Sequence, residues 1–593
     1  MRRLLVSTAT ILALIGMFAG GTTSASPAPK QATDALVSEG SPSGQHMQNA
    51  QNEPALAVDP TRPNVLAAGA NDLVDMQPCS ELASTTAGAC SFPLGTFNLG
   101  VGLGGVYFSF DSGRSWIQPE YQGLTAADCD PTAEPCTSHP GPIHTVPNYY
   151  ENGLRSRSDP GVAFGPAPVG GRFSWDNGSR LYYSNLATNL TDTIIKHGGI
   201  NSTTAITVSS IDDVTEERIQ DQSNWSKPYF VPAHIASSAG LDKEQIWADN
   251  ASSSPFFGNV YLCYSDFHSF SHGNSFPLKP MVATSTDGGV TWKAHQVAPP
   301  HANSKQGAYD ACAVRTDSHG VAYAFFTHFA GVGLEGSQTI IKSTNGGHTW
   351  GKPQDIVPMT DPCFNVDPVS RRCVGDGIAG ARIDLSAGPS FDIANGAPTG
   401  EDATNEIVAA WSDGQFGLNN EVSMVSWSTD GGDTWSSPQT VSEAGDRSLY
   451  TAPGISPDGS TLYVVYMANL APFQDTTADP RPEHGVLRMA TIVNGVPTDW
   501  TTVYSGPTGD ARGTSQGRIL YNEFLGDYVY AIGTRTYGAG VWTDTRRTAD
   551  CRAMDDWRQQ SHDAGHLVFP APWPLGDCPA NFGNNDIFSA TTG

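Results

Sequence analysis

Positive charge is what this chain has least of. Only 32 residues are Lys or Arg against 59 Asp or Glu, so the formal net charge is −27 although charged residues make up just 15% of the chain. A chain of that sign is repelled by nucleic acid and by anionic membranes, and both are excluded as partners. Long apolar runs are missing as well: past the N-terminal segment nothing approaches roughly eighteen unbroken apolar residues, so no membrane span is expected. Helical periodicity is almost absent. There is no Cys-x-x-Cys and no His-Glu-x-x-His, which removes the usual zinc sites and leaves no metal ligands to name.

What the chain has instead is turn-forming residues, with 63 Gly and 42 Pro between short runs rich in Val, Ile, Tyr and Trp. That composition reads as all-β with many turns. At the N-terminus, Arg2 and Arg3 precede an apolar run from Leu4 to Ala19 and small residues ending near Ala25. This pattern predicts a signal peptide over 1–25 and a secreted, extracellular protein. A leader rich in Ser, Pro, Ala and Gly over 26–45 is expected to be disordered, and residues 46–593 to form one domain. Ten cysteines fit export, and their spacing suggests the pairs Cys79/Cys90, Cys129/Cys136, Cys363/Cys373 and Cys551/Cys578. Cys263 and Cys312 are then left to pair with each other.

One eight-residue pattern recurs. It reads Ser285-Thr-Asp-Gly-Gly-Val-Thr-Trp292, then Ser428-Thr-Asp-Gly-Gly-Asp-Thr-Trp435, with the near-copies Ser343-Thr-Asn-Gly-Gly-His-Thr-Trp350 and Ser109-Phe-Asp-Ser-Gly-Arg-Ser-Trp116. A short Asp or Asn accepts backbone N–H bonds, Gly takes a positive φ, and Trp anchors the turn to its sheet. Between these turns a longer unit repeats, in which a polar start leads into short apolar strands. Unit starts fall near 53, 159, 243, 309, 382, 450 and 527, a spacing of 66 to 106 residues. That period suits a four-stranded propeller blade with loop insertions. The predicted fold is therefore an all-β propeller of four-stranded antiparallel blades, seven by repeat count and six if the ends share one blade.

The four turns are Asp-boxes, and together with the sheet repeat and the export signal they resemble the bacterial sialidase superfamily, whose members are β-propellers. The resemblance covers most of the mature chain, and it implies a retaining glycoside hydrolase acting on terminal acidic sugars. Such enzymes clamp the substrate carboxylate with three arginines and use an Asp acid and a Tyr nucleophile activated by a Glu. Arginine forks match carboxylate geometry, which is why that residue type serves. The chain departs from the family in lacking an Arg-Ile-Pro motif near the first blade: Arg62-Pro63 is a turn, and Arg382-Ile383 and Arg518-Ile519 lack the Pro. No arginine is therefore carried over by motif.

Propeller geometry offers another route, because inner strands all start at one face and bring their first residues to the axial funnel. Those residues are Glu53, Asp159, Glu244, Asp310, Arg382, Tyr450, Asp527 and Tyr528, joined by Asp72, Asp266, His268, His328, Asp413 and Asp544. Family order then implies Arg157, Arg382 and Arg447 as the carboxylate clamp, Asp159 as the acid, and Glu244 with Tyr528 as the nucleophile pair. No cofactor is expected, although charged funnel residues can hold a structural calcium. The partner is a carbohydrate and the protein a monomer. Two other classes fit the same scaffold, a non-catalytic propeller binding glycan or protein, and another glycosidase or polysaccharide lyase.

Overall fold

The computed structural model describes residues 30–593 apart from 43, 45, 79–99, 130–136, 192–194, 198–199, 203, 233–238, 269–277, 300–301, 304–306, 330–332, 389 and 518. The signal-peptide segment 1–25 and the pairs Cys79/Cys90 and Cys129/Cys136 lie outside these residues, wholly or in one partner. Among the described residues no helix is long and apolar enough to cross a membrane.

Seven antiparallel sheets follow one another along the chain. Their innermost strands are Gln51–Val58, Leu154–Val169, Ala239–Ala248, Gly307–Thr316, Ser390–Ile393, Arg447–Ile455 and Tyr530–Gly533. Within each blade the main strands pair in sequence order, so the blade is a meander running outward from the axis, with Gly509–Asp510 added back onto Pro482–Val493 in the sixth. The first blade has three strands, and its place for a fourth is filled by a bridge between Phe108 and Ile117.

The ring closes with a strand from the other end of the chain. Thr33–Leu36 pairs with Asp586–Thr591 and becomes the outer strand of the seventh blade, with Thr33 opposite Thr591 and Leu36 opposite Phe588. Thr33–Leu36 lies within the segment 26–45 expected to be a disordered leader. Composition there is poor in apolar residues, but a strand that joins an existing edge gains ladder hydrogen bonds without needing a core of its own. The blade count is thus seven, with the last blade built from both ends.

Alternation along each strand sends neighbouring side chains to opposite faces, and this is how the blades adhere. Tyr183 packs against Phe108 and Val106 of the first blade, while Tyr182 packs against Leu262 and Trp292 of the third. The same split recurs at Ala313 and Val314, Val408 and Ala409, and Val464 and Val465. Seven apolar clusters result, one for each junction between adjacent blades, the last joining Ile532 and Val541 to Leu56 and Trp116. The Cys263–Cys312 disulfide crosses from the third blade to the fourth, while Cys363–Cys373 and Cys551–Cys578 close loops.

All four repeated turns sit between the third strand of a blade and the segment that follows it. In each, the Ser hydroxyl donates to the Asp or Asn and accepts the N–H of the second Gly-position residue, as at Ser285 with Asp287 (2.8 Å) and Gly289 (2.9 Å). Asp287 then accepts from Thr291 at N (2.9 Å) and Oγ1 (2.6 Å). Trp116 and Trp292 are buried, whereas Trp350 and Trp435 are half-buried. Sequence reading gave no sign of the helix Arg552–Ala564, inserted between the second and third strands of the last blade.

Candidate axial pocket

Five inner strands carry the same irregularity near their start. The register slips between Asn52 and Ala55, Ser158 and Gly161, Asp242 and Gln245, Asp310 and Ala313, and Leu449 and Thr451. Inside each bulge one residue adopts a positive φ: Glu53 (57°), Asp159 (58°), Lys243 (61°), Ala311 (53°) and Tyr450 (46°). A non-glycine residue held there is strained, and such strain persists where the surrounding structure over-determines it. At Glu53, Asp159 and Lys243 the bulge brings an ionisable side chain to the axis.

These side chains form one charged layer. Lys243 Nζ lies 2.5 Å from Asp527 Oδ2, 3.4 Å from Asp159 Oδ2 and 3.7 Å from Asp242 Oδ1. Arg382 forks onto Asp527, with Nε donating to Oδ1 at 3.1 Å and Nη2 to Oδ2 at 2.5 Å, and Nη2 stands 3.7 Å from Glu53 Oε1. Asn71 ties the first two blades together, donating to Glu53 Oε2 (2.5 Å) and accepting the Asp159 N–H (3.1 Å).

Crowded carboxyls cannot all ionise, and the layer sorts them. Burial works to raise Asp527, but Arg382 and Lys243 outweigh it and hold the carboxyl below its usual range. Asp159 is likewise held low, by Lys243 and by hydrogen bonds from Asp242 and Glu53 against the effect of burial. Burial and then repulsion from Asp159 push Glu53 well up. Asp242 is pushed up to about 7, by desolvation and, against the pull of Lys243, by Asp159. Neighbouring carboxyls driven to opposite protonation states are the arrangement that acid–base chemistry needs.

Above this layer opens a cavity of about 410 Å³, lined among others by Arg157, Arg372, Arg382, Asp159, Asp242 and Gln516. Arg157 is half-buried and has no hydrogen-bond or ion-pair partner among the described residues. Arg372 Nε pairs with Asp384 Oδ2 at 2.6 Å. Asp242 keeps 37% of its side-chain surface exposed, in contrast to 1% for Asp527.

Of the six residues expected to form the site, the structure brings Asp159, Arg157 and Arg382 to this pocket. Glu244 and Tyr528 line a separate cavity of about 60 Å³ one step deeper, which shares Lys243 with the mouth. Their polar atoms, both Glu244 carboxyl oxygens and the Tyr528 hydroxyl, are buried without hydrogen-bond partners. Burial, reinforced by Asp159, drives Glu244 well up toward its neutral form and raises Tyr528 also. The two therefore do not form the expected hydrogen-bonded nucleophile pair. Arg447 lies outside this pocket. Its Nε donates to Glu421 Oε2 (2.8 Å), and its Nη atoms donate to Glu421 Oε1, Ala471 O and Gly375 O. Four of its five N–H groups are taken up in this way, so the buried fork holds loops together.

Lys243, Asp242 and Arg372 were not anticipated. Lys243 stood at the start of the third unit in the sequence, at the position where the first and second units place Glu53 and Asp159, and that equivalence was the available signal. The remaining funnel candidates divide: Asp310 accepts the Ala311 N–H (2.7 Å), and His328 stacks on Tyr309 at 4.5 Å and contacts Asp355.

In backbone comparison the chain is similar to the Hadza microbial sialidase Hz136, at 14% identity over 72% of this chain and 65% of that one, TM-score 0.38. It is similar to Trypanosoma rangeli sialidase at 14% identity over 71% and 53%, TM-score 0.35. It is also similar to the α-L-arabinofuranosidase Arb93A from Fusarium graminearum at 11% identity over 75% and 94%, TM-score 0.37. The matched region spans less than two thirds of either sialidase chain. No family model matches the chain, and no curated protein matches it in sequence.

Proposed function

We propose that the protein is an exported glycoside hydrolase that takes the terminal acidic sugar of a glycan into the mouth pocket. The observation that supports this most is the combination, around one cavity of about 410 Å³, of a guanidinium at Arg157 that has no partner among the described residues with an adjacent carboxyl pair, Asp242 and Asp159, of opposite protonation preference. Arg157 is the anchor for the sugar carboxylate, with Arg372 and Arg382 setting the positive side of the pocket. Asp242, protonated up to about neutrality and open to the mouth, hands its proton to the leaving glycosidic oxygen. Asp159 stays ionised beside it and offsets the positive charge that develops at the anomeric carbon.

A retaining route would have Tyr528 attack while Glu244 takes its proton. A Glu244 held neutral is a poor base, so we assign the attack to water, whose proton passes to the Asp242 carboxylate left once the leaving oxygen has been protonated, and Tyr528→Phe distinguishes the two routes. The test is turnover of fluorogenic sialosides, glucuronides and arabinofuranosides alongside calorimetric binding of the free sugars. Asp242→Asn should abolish turnover and spare binding, and Arg157→Met should weaken acidic sugars by about 1.5–3 kcal/mol while leaving neutral ones unchanged. Binding without turnover by the wild type would make the protein a glycan-binding propeller, and no binding of any acidic sugar would sink the assignment.

A further inference from the structure

Residue numbers along the inner strands measure depth, because every such strand runs from the mouth to the opposite face. Glu53, Asp159 and Lys243 line the mouth, and Leu56, Val162 and Ile246 line a third cavity at the far end, of about 340 Å³, to which all seven blades contribute. It is divided from the small chamber above it by a hydrogen-bonded layer. Gln245 Nε2 donates to the Tyr530 hydroxyl (2.8 Å), and Arg315 Nη1 donates to Gln245 Oε1 (2.8 Å). Nothing in the proposed hydrolysis uses this lower cavity.

Its size falls within the range of small-molecule sites, and its walls are largely aliphatic and aromatic with a few polar groups converging. Its charged lining residues are Asp59, Arg315, Asp392 and Arg535. Asp59 is paired with Arg62 and Arg535 with Asp402, which leaves Arg315 and Asp392 facing each other in the cavity. The Arg315 guanidinium lies over the Trp247 ring at 4.5 Å, Nε stands 3.4 Å from Asp392 Oδ1, and Nη1 also donates to Val314 O (2.8 Å). Nη2 has no acceptor among the described residues, although Arg315 is only 8% exposed. Asp392, the neighbouring carboxylate, accepts the Ile455 N–H at 3.0 Å and so has part of its charge taken up by backbone. A guanidinium N–H that opens onto a largely apolar cavity without a protein acceptor has a planar carboxylate as its complement.

We propose that the lower axial cavity is a second ligand site, which takes a small hydrophobic carboxylate, aryl or branched-alkyl. The carboxylate sits on Arg315 Nη2 and the apolar body lies against Trp247, Ile246 and Phe164. Stacking on Trp247 and bonds to Gln245 and Val314 fix the guanidinium in advance, so little entropy is lost when the ligand arrives.

The probe is 2-naphthoate, titrated into the full-length, disulfide-intact protein by calorimetry and fluorescence, with 2-naphthol as the counterpart lacking the carboxylate. One saturable site per chain is expected. Thr536→Trp, on the exposed rim of the cavity, should abolish it. Arg315→Met should weaken naphthoate by roughly 10- to 150-fold and leave naphthol unchanged. The naphthol comparison on the wild type alone carries the same information should Arg315→Met fold poorly. Arg157→Met, in the upper pocket, should leave naphthoate binding as it was. Absence of saturable binding, equal affinity for naphthol, survival of binding in Thr536→Trp, or its loss in Arg157→Met would each overturn the proposal.

Discussion

Among the described residues Lys243 is the single ammonium inside a ring of carboxyls, so replacing it with Met should expose how the layer is balanced. Its side chain is 11% exposed and those of Asp159 and Asp527 are 5% and 1% exposed, which places the contacts in the regime where removing one partner leaves an uncompensated buried charge. Asp527 retains the Arg382 fork. Asp159 does not have such a second cation and keeps only hydrogen bonds from its neighbours, so most of the loss falls on it. The expected cost at pH 8 is about 3–5 kcal/mol.

The sign of the pH dependence follows from the direction of each shift. In the wild type, the lowered Asp159 and Asp527 contribute stability above the unfolded carboxyl value of about 3.9, and that contribution is lost as pH falls through their folded values. Without Lys243, burial dominates Asp159 and its folded value moves above the unfolded one. Its contribution then reverses, being present below about 3.9 and lost as pH rises through the new value. Glu53 and Asp242, already raised and both restrained by Lys243, move further the same way. The destabilisation should therefore be present already at pH 4.5, where the wild-type contribution of Asp159 is in place, and grow steadily to pH 8. Urea-unfolding midpoints, followed by tryptophan fluorescence on wild type and Lys243→Met at pH 4.5, 6 and 8, provide the measurement. A loss that is the same at every pH, or below about 1 kcal/mol at pH 8, would refute this account of the layer.

Trp292→Ala removes a buried ring at the base of a repeated turn, together with its bond to Gly289 O (3.0 Å), and should cost about 3–5 kcal/mol, visible as a lowered thermal midpoint. Arg447→Ala leaves Glu421 buried without its fork and should cost about 3–5 kcal/mol while binding of acidic sugars by the folded protein stays at the wild-type level, as calorimetry would show. Deleting residues 33–36 strips the outer strand from the seventh blade and exposes the edge of Asp586–Thr591. The shortened chain should melt earlier and form higher oligomers on a sizing column, since a bare edge recruits other strands.

The fold was legible in the sequence because its units carry their own punctuation. Asp287 and Asp430 must accept backbone N–H groups at tight turns, Gly289 and Gly432 must take positive φ, and these demands survive independently of tertiary context. Alternating apolar strands between those turns then fix both faces of each blade, as the division of Tyr182 and Tyr183 between two junctions illustrates. Closure by Thr33–Leu36 was not legible, since four residues with only two strongly apolar ones reveal nothing until an edge is offered to them.

The site was half legible for a more local reason. A strand reader counts in steps of two, and a bulge inserts one residue that breaks the count. Asp159 faces the pocket because it is itself the left-handed residue of its bulge. Glu244 was chosen where Lys243 holds that position, and one residue of slip lowers a side chain from the mouth to the chamber beneath. Tyr528 likewise stands one residue past Asp527, the group that accepts from both Lys243 and Arg382. In the first three inner strands it is the strained residue, Glu53, Asp159 or Lys243, that faces the pocket. The exchange of an expected carboxyl and phenol for an ammonium and a carboxylate is what turns the predicted nucleophile pair into a charged floor.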